Sequence, residues 1–369
     1  VAPEPDLVEP GGGPIQWVQL AGGRWVSEKD PGYPYLAVAF QTLGVIRLAP
    51  LFFAALACLG LYFGARRWLG MFGGAAAVGL YCSSGAAIEF AWRDYMPTFT
   101  DASLIAAGTG ALLWALLAAE ATTKRRTWVG LAGFVALEVA TSVRYTNVVI
   151  LGCAVIAVLV AWRLPAARLP GTAVAWCLAS VFVFCAAVAT FDTLVYGGPL
   201  RSGYRPGEIT FSLSAVSANL RSMPTHLIQA MPMLVLGLAA LAGIVLQWLR
   251  VRRADGENAM TARRDLAVGL ALAASWAAIW GLYATYTWTT PPGLSTLQSA
   301  RFYVPALGPI ALLGAWLLVR VPRKQPPVAM ITLLSVGTLF WLGAQAFHAM
   351  YQSPFVDAQL SDLVRTFHS

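Results

Sequence analysis

Leu48-Ala49-Pro50-Leu51-Phe52-Phe53-Ala54-Ala55-Leu56-Ala57-Cys58-Leu59-Gly60-Leu61-Tyr62-Phe63-Gly64 runs without a charged residue and ends on Arg66-Arg67. An apolar run of this length followed by paired arginines reads as a helix that crosses a bilayer and stops at its polar boundary. The pattern recurs. Phe72–Ala91, Leu104–Ala119, Trp128–Val143, Val148–Trp162, Ala173–Phe191, Leu227–Leu249, Leu266–Tyr286, Tyr303–Val319 and Val328–Phe347 are further blocks of the same kind, making about ten crossings. Across the 369 residues 58% are hydrophobic and 11% charged, and the mean hydropathy is +0.65. A water-soluble chain carries about a quarter charged residues, so the expected fold is an all-α polytopic transmembrane bundle.

Numbering the gaps between blocks assigns them alternately to the two sides. Arg66, Arg67, Lys124, Arg125, Arg126, Arg163, Arg168, Arg250, Arg252, Arg253, Arg263, Arg264, Arg320, Arg323 and Lys324 then share one side, accompanied by Glu120, Asp255, Glu257 and Asp265. The positive-inside rule makes that side cytoplasmic. Glu4, Asp6, Glu9, Glu28, Asp30, Glu89, Asp94, Asp101, Asp192, Glu208, Asp357 and Asp362 gather on the other face. The net charge of +8 is therefore a topology signal, and a nucleic-acid partner is not expected.

Cys58, Cys82, Cys153, Cys177 and Cys185 all lie within apolar blocks without metal-ligand spacing, and read as packing residues. Three histidines, His226, His348 and His368, argue against a histidine-based metal centre. No P-loop, GxSxG or GxGxxG stands in a strand–helix setting.

The whole of 1–369 reads as one integral membrane domain: an outer loop over 1–34, an interfacial helix over 33–44, the bundle over 48–347 and an outer tail over 348–369. Gly44, Arg47 and Pro50 separate the interfacial helix from the first crossing, and Tyr33, Tyr35 and Phe40 are its aromatic anchors. The chain opens Val1-Ala2-Pro3 in a loop assigned to the outer side, which leads to the expectation of a transmembrane helix preceding this sequence.

The candidate chemistry lies in the outer segments. Lys29 stands before the turn Pro31-Gly32-Tyr33-Pro34, at a depth where it can pair with a phosphate or simply snorkel. Asp6 and Glu9, ahead of Gly11-Gly12-Gly13, are carboxylates able to act as general base, or scattered acids of a flexible leader. Arg93-Asp94-Tyr95-Met96-Pro97 is a short turn before Asp101, where acids are costly unless paired or functional. Arg144-Tyr145-Thr146-Asn147 is either the polar tip of a helical hairpin or the lining of a cavity. Tyr196-Gly197-Gly198-Pro199-Leu200-Arg201-Ser202-Gly203-Tyr204-Arg205 suits a phosphate- and sugar-binding loop or a structured surface loop. Arg301-Phe302-Tyr303-Val304-Pro305 sets an arginine at the outer end of a helix.

Taken in order, Lys29-Asp30-Pro31-Gly32-Tyr33-Pro34, Arg93-Asp94 with Asp101-Ala102-Ser103-Leu104, Tyr196–Tyr204 and Ala300-Arg301-Phe302-Tyr303-Val304-Pro305 resemble signatures of the GT-C superfamily of polytopic glycosyltransferases. That superfamily includes the protein mannosyltransferases (glycosyltransferase family 39) and the lipid A aminoarabinose transferases. The resemblance implies inverting transfer of a sugar from a polyprenyl-phosphate donor to a cell-envelope glycan, lipid or protein, at the extracytoplasmic face of the plasma membrane. It implies a base in the first outer loop, Asp6 or Glu9, and phosphate contacts from Lys29 and Arg301; the residues themselves add Asp94 and Asp101 as competing carboxylates and Arg201 and Arg205 as further phosphate contacts. Substrate contacts then fall to Tyr33, Arg93, Arg144, Tyr204 and Tyr303, and a divalent cation, Mg or Mn, is compatible with carboxylates and phosphate together. A transporter or flippase of lipid-linked saccharides is the alternative. It predicts charges near mid-bilayer and repeat symmetry, whereas the charges here gather at the outer rim with Glu138 as the main exception.

Overall fold

A computed structural model describes residues 17–19, 25–27, 30–92, 97–163, 169–199, 201–204, 210–251, 256–290, 297–320, 337, 341–343 and 345. Asp6, Glu9, Lys29, Arg93, Asp94 and Arg205 lie outside these residues, as does most of the last apolar block. The chain is a polytopic helical bundle. Its helices are α1 (Gly32–Thr42), α2 (Ala49–Cys82), α3 (Gly85–Trp92), α4 (Pro97–Leu117), α5 (Thr123–Val143), α6 (Val148–Arg163), α7 (Gly171–Tyr196), α8 (Leu213–Ala230), α9 (Leu234–Val251), α10 (Glu257–Ala284) and α11 (Leu307–Arg320). Two short antiparallel strands, Trp17–Gln19 and Trp25–Ser27, add a hairpin within the first outer segment, which the sequence reading left as loop.

Among the described residues six stretches are long and apolar enough to cross a membrane, one of them Ile46–Cys82 at 37 residues. That stretch is two arms. Gly70 leaves the helical region at φ 81°, ψ −178°, a backbone setting only glycine adopts without strain. Beyond it the chain returns on itself: Gly74 faces Tyr62, and the Cys58 and Cys82 Sγ atoms are 3.6 Å apart. Residues on either side of Gly70 meet, as an antiparallel helical hairpin requires. The two blocks separated by Arg66-Arg67 are thus successive arms, with the arginines near the turn.

α4 is the central element, buried over 72% of its apolar span, and α11 is buried along nearly its whole length. α2 approaches α4 backbone to backbone. Gly60 and Gly64, one helical turn apart, rest on Ala107 and Gly110, so a β-carbon at any of these three glycines would fall inside the opposite main chain. Membrane helices associate through such small-residue contacts because lipid offers no hydrophobic drive between them. Replacing Gly110 by valine is expected to separate α2 from α4 and lower stability by roughly 2–3 kcal/mol, the order of an overpacked core. Thermal unfolding in detergent checks this, with Gly152→Val, where no atom stands within 4 Å of a new β-carbon, as the silent control.

Arg67, Arg125, Arg126 and Arg320 collect at one end. Arg67 pairs with Glu120, and Arg67 and Arg125 both lie over the Trp114 ring, at 5.7 and 5.2 Å. Arg126 is buried and donates from Nε to the Ala115 carbonyl, closing the C-terminus of α4. Asp265, wholly buried at the start of α10, accepts from Trp68 Nε1 (2.9 Å), Trp316 Nε1 (2.9 Å) and Arg320 Nη2 (2.7 Å). One carboxylate therefore ties α10 to the hairpin turn and to the end of α11. Glu138 finds its partner in α7, where Ser180 Oγ lies 2.8 Å from its Oε1.

At the opposite end the boundaries depart from the sequence reading in two places. The block Leu227–Leu249 is divided by Met231-Pro232-Met233, so α8 ends at Ala230 and α9 starts at Leu234. The segment read as loop from Asp192 to about His226 instead carries the end of α7 and most of α8. α8 is held by Asn219, which donates to the Ala284 and Tyr286 carbonyls and accepts from Thr289 Oγ1. The interfacial helix is α1, its end marked by Gly44 at φ 69°, and Tyr35 is exposed while Tyr33 and Phe40 pack against the core.

Candidate active site

The end opposite the arginine-rich turns assembles residues from five separate segments. Asp101 lies one turn inside α4, wholly buried, although its sequence position suggested a helix-start charge. Arg144, the residue that closes α5, meets it: Nε is 3.1 Å from Asp101 Oδ2. The other arms of the same guanidinium donate to Thr98 Oγ1 at 3.1 Å and to the Arg301 carbonyl at 3.2 Å. Burial is the largest single influence on the Arg144 pKa and lowers it; Asp101, Tyr283 and Asp30 together outweigh it and the net shift is upward. Arg144 is a fixed cation that joins α4, the α5–α6 connection and the segment before α11.

The Arg144–Asn147 connection is the polar tip of the α5–α6 hairpin, and it is turned into the bundle. A 3-10 turn over Tyr145–Asn147 presents every side chain to a different partner. Tyr145 donates its hydroxyl to Asp192 Oδ1 (3.1 Å) and its backbone N–H to Asp30 Oδ2 (2.9 Å). Thr146 Oγ1 and the Tyr283 hydroxyl lie 2.7 Å apart, and Asn147 Nδ2 reaches the Ala140 carbonyl (3.0 Å) and Asp101 Oδ2 (3.4 Å). The Asp30 contact fixes the entry to α1. Gly32 is pressed onto the Ser142–Val143 backbone so closely that no β-carbon fits. The Asp30-Pro31-Gly32-Tyr33 motif is thereby anchored one residue away from Arg144.

Arg301 belongs to a 3-10 turn over Leu297–Phe302; a second turn, Val304–Ala306, then leads into α11. Its guanidinium stands over Phe302 at 4.8 Å and beside Trp288 at 5.8 Å. Arg144 approaches the same Phe302 ring at 5.9 Å, so two cations share one aromatic group. Tyr283, Tyr286, Phe302 and Tyr303 form the floor beneath them, with Trp280 Nε1 donating to the Tyr303 carbonyl at 3.0 Å.

Of the residues singled out from sequence, Tyr33, Asp101, Arg144, Arg301 and Tyr303 belong to this end of the bundle and are linked to it by the contacts above. Arg201 is exposed on the turn after α7, next to Gly198, and Tyr204 is half-buried close by. Sequence reasoning passed over Asp30, Thr98, Tyr145, Asp192 and Tyr283 as site residues. Asp30 stood inside a quoted motif, and Tyr145 inside the Arg144–Asn147 tip; Tyr283 sits in an apolar run, where nothing local marks it. Among the described residues no group of three or more His, Cys, Asp or Glu is placed to hold a metal ion. The acids present here, Asp30, Asp101 and Asp192, each accept from a protein donor.

No protein-family model matches the chain, and no curated protein matches it in sequence. Solved structures do. ArnT from Cupriavidus metallidurans bound to undecaprenyl phosphate superposes with a TM-score of 0.51 at 18% identity, over 86% of this chain and 55% of that one. The Archaeoglobus fulgidus oligosaccharyltransferase in complex with Zn and sulfate gives a TM-score of 0.51 at 15% identity, over 90% of this chain and 46% of the other. The chain thus spans about half the length of the proteins it resembles. The likeness establishes the fold, a multi-pass helical membrane bundle like that of these proteins.

Proposed function

We propose that the chain is a membrane glycosyltransferase that moves a hexosyl or pentosyl group from a polyprenyl-phosphate donor to a cell-envelope acceptor. The observation that carries this reading is the convergence of Asp30–Tyr33, Thr98–Asp101, Arg144–Asn147 and Arg301–Tyr303 on one cationic, aromatic-floored centre at the end of a GT-C-type bundle. That ArnT was solved with undecaprenyl phosphate supports the donor class. The arginine-rich opposite end supports an extracytoplasmic site in the plasma membrane. All of 1–369 then forms one membrane-embedded domain.

In the proposed reaction the acceptor hydroxyl attacks the anomeric carbon, the bond from that carbon to the phosphate oxygen breaks, and the lipid phosphate leaves with the electron pair. Arg301 and Lys29, assisted by Arg201 and Arg205, stabilise the charge that develops on the phosphate. Tyr33, Arg93, Arg144, Tyr204 and Tyr303 frame the substrate. The proton of the acceptor passes to a carboxylate, for which Asp6, Glu9 and Asp94 are the candidates. Asp101 has no exposed surface from which to take it. The described residues build no cation site, and no step here is routed through one.

Incubating membranes that contain the full chain with labelled polyprenyl-phosphate sugars tests the reading. Release of lipid phosphate coupled to loss of the sugar label is the expected result. Movement of intact donor across the bilayer without release contradicts it and favours the flippase.

A further inference from the structure

We infer that Asp101 is a positioning residue which, through Arg144, holds the backbone at Arg301 and so aims the Arg301 guanidinium at the donor phosphate. This rests on the proposed phosphate role of Arg301.

The chain of contacts is continuous. Asp101 Oδ2 receives Arg144 Nε at 3.1 Å, and the far side of that guanidinium donates to the Arg301 carbonyl at 3.2 Å. A guanidinium is planar, so fixing one edge fixes the other. Arg144 has a side chain 14% exposed, and Thr98 Oγ1 takes its remaining arm. Arg301 itself sits in a short 3-10 turn, where one anchored carbonyl has a large share in setting the direction of the side chain.

Electrostatics points the same way. Arg144 and Arg301 both approach the Phe302 ring, at 5.9 and 4.8 Å. The Asp101 carboxylate, 3.1 Å from Arg144 Nε, offsets the charge of that guanidinium. The pair is poorly built as a source of stability. Asp101 Oδ1 is buried and has no hydrogen-bond partner among the described residues. A half-satisfied buried ion pair contributes little that a packed apolar pair would not, whereas it does define geometry.

The full chain, reconstituted in nanodiscs, is titrated with undecaprenyl phosphate. Asp101→Asn is expected to weaken binding about tenfold, and Arg301→Ala by at least as much. In the Arg301→Ala background Asp101→Asn is expected to add nothing, because the residue it positions is gone. Arg144→Lys, which keeps the charge and loses the planar fork, gives the same non-additive loss and serves if Asp101→Asn does not fold. Additive losses overturn the relay, as does unchanged binding in Asp101→Asn and Arg144→Lys while Arg301→Ala weakens it. If Arg301→Ala leaves binding unchanged, the phosphate assignment itself fails and the relay falls with it.

Discussion

Replacing Arg301 by alanine is expected to lower sugar transfer roughly 100- to 1,000-fold, the usual effect of removing a preorganised group aimed at developing charge. The guanidinium stands over Phe302 and Trp288, and its backbone is fixed by Arg144, so it need not reorganise as the phosphate leaves. Turnover of a labelled donor by Arg301→Ala, Arg301→Lys and Arg301→Met separates charge from packing. Lysine should restore part of the rate, since a point charge still attracts phosphate without the bidentate geometry. Methionine fills the space above Phe302 and should restore none. Full activity in the methionine variant would mean that Arg301 serves only to cover the aromatic floor.

Replacing Gly32 by valine is expected to abolish transfer while the bundle stays folded. A β-carbon at this position falls within the Ser142–Val143 backbone at the end of α5, and neither main chain can give way. α1 must then lift from α5. The bond from Tyr145 N–H to Asp30 Oδ2 breaks, and the Asp30–Tyr33 motif loses its anchor. Displacement of a substrate-positioning group by about 1 Å costs on the order of 100-fold, and a β-branched side chain forces more than that. The rest of the bundle does not depend on the contact, because the buried core runs through α2, α4 and α11. Turnover measured beside the thermal midpoint checks both halves: a near-normal midpoint with lost activity is expected. Normal turnover in Gly32→Val would mean that the anchored Asp30–Tyr33 motif plays no part in the site.

Much of the bundle was legible because lipid imposes simple rules. The run Leu48–Gly64 with Arg66-Arg67, the interfacial helix ended by Gly44, and the helix Val148–Arg163 all lie close to where length, charge and glycine put them. The division of Leu227–Leu249 was less plain. Hydropathy averages across Met231-Pro232-Met233, and only the Pro232 punctuation marks the break. The packing of α2 on α4 was written in Gly60-x-x-x-Gly64, a small-residue spacing that hydropathy does not weigh. In the site, Arg144 and Arg301 stood out as arginines beside apolar helices. Their connection did not, because 157 positions separate the Arg144 guanidinium from the carbonyl it holds. The role of Asp101 was hidden for the same reason. Its partners Arg144 and Asn147 come from a different part of the chain.

The central claim is that this end of the bundle binds a polyprenyl phosphate through Arg301 and the segment that begins α1. A photoactivatable undecaprenyl phosphate, crosslinked to the reconstituted chain and mapped by peptide mass spectrometry, tests it most directly. Adducts are expected within 29–36 and 285–303, and are lost when a photoactivatable undecaprenol without phosphate is used. Adducts spread evenly over the lipid-facing helices, or equal labelling by the two lipids, would contradict it.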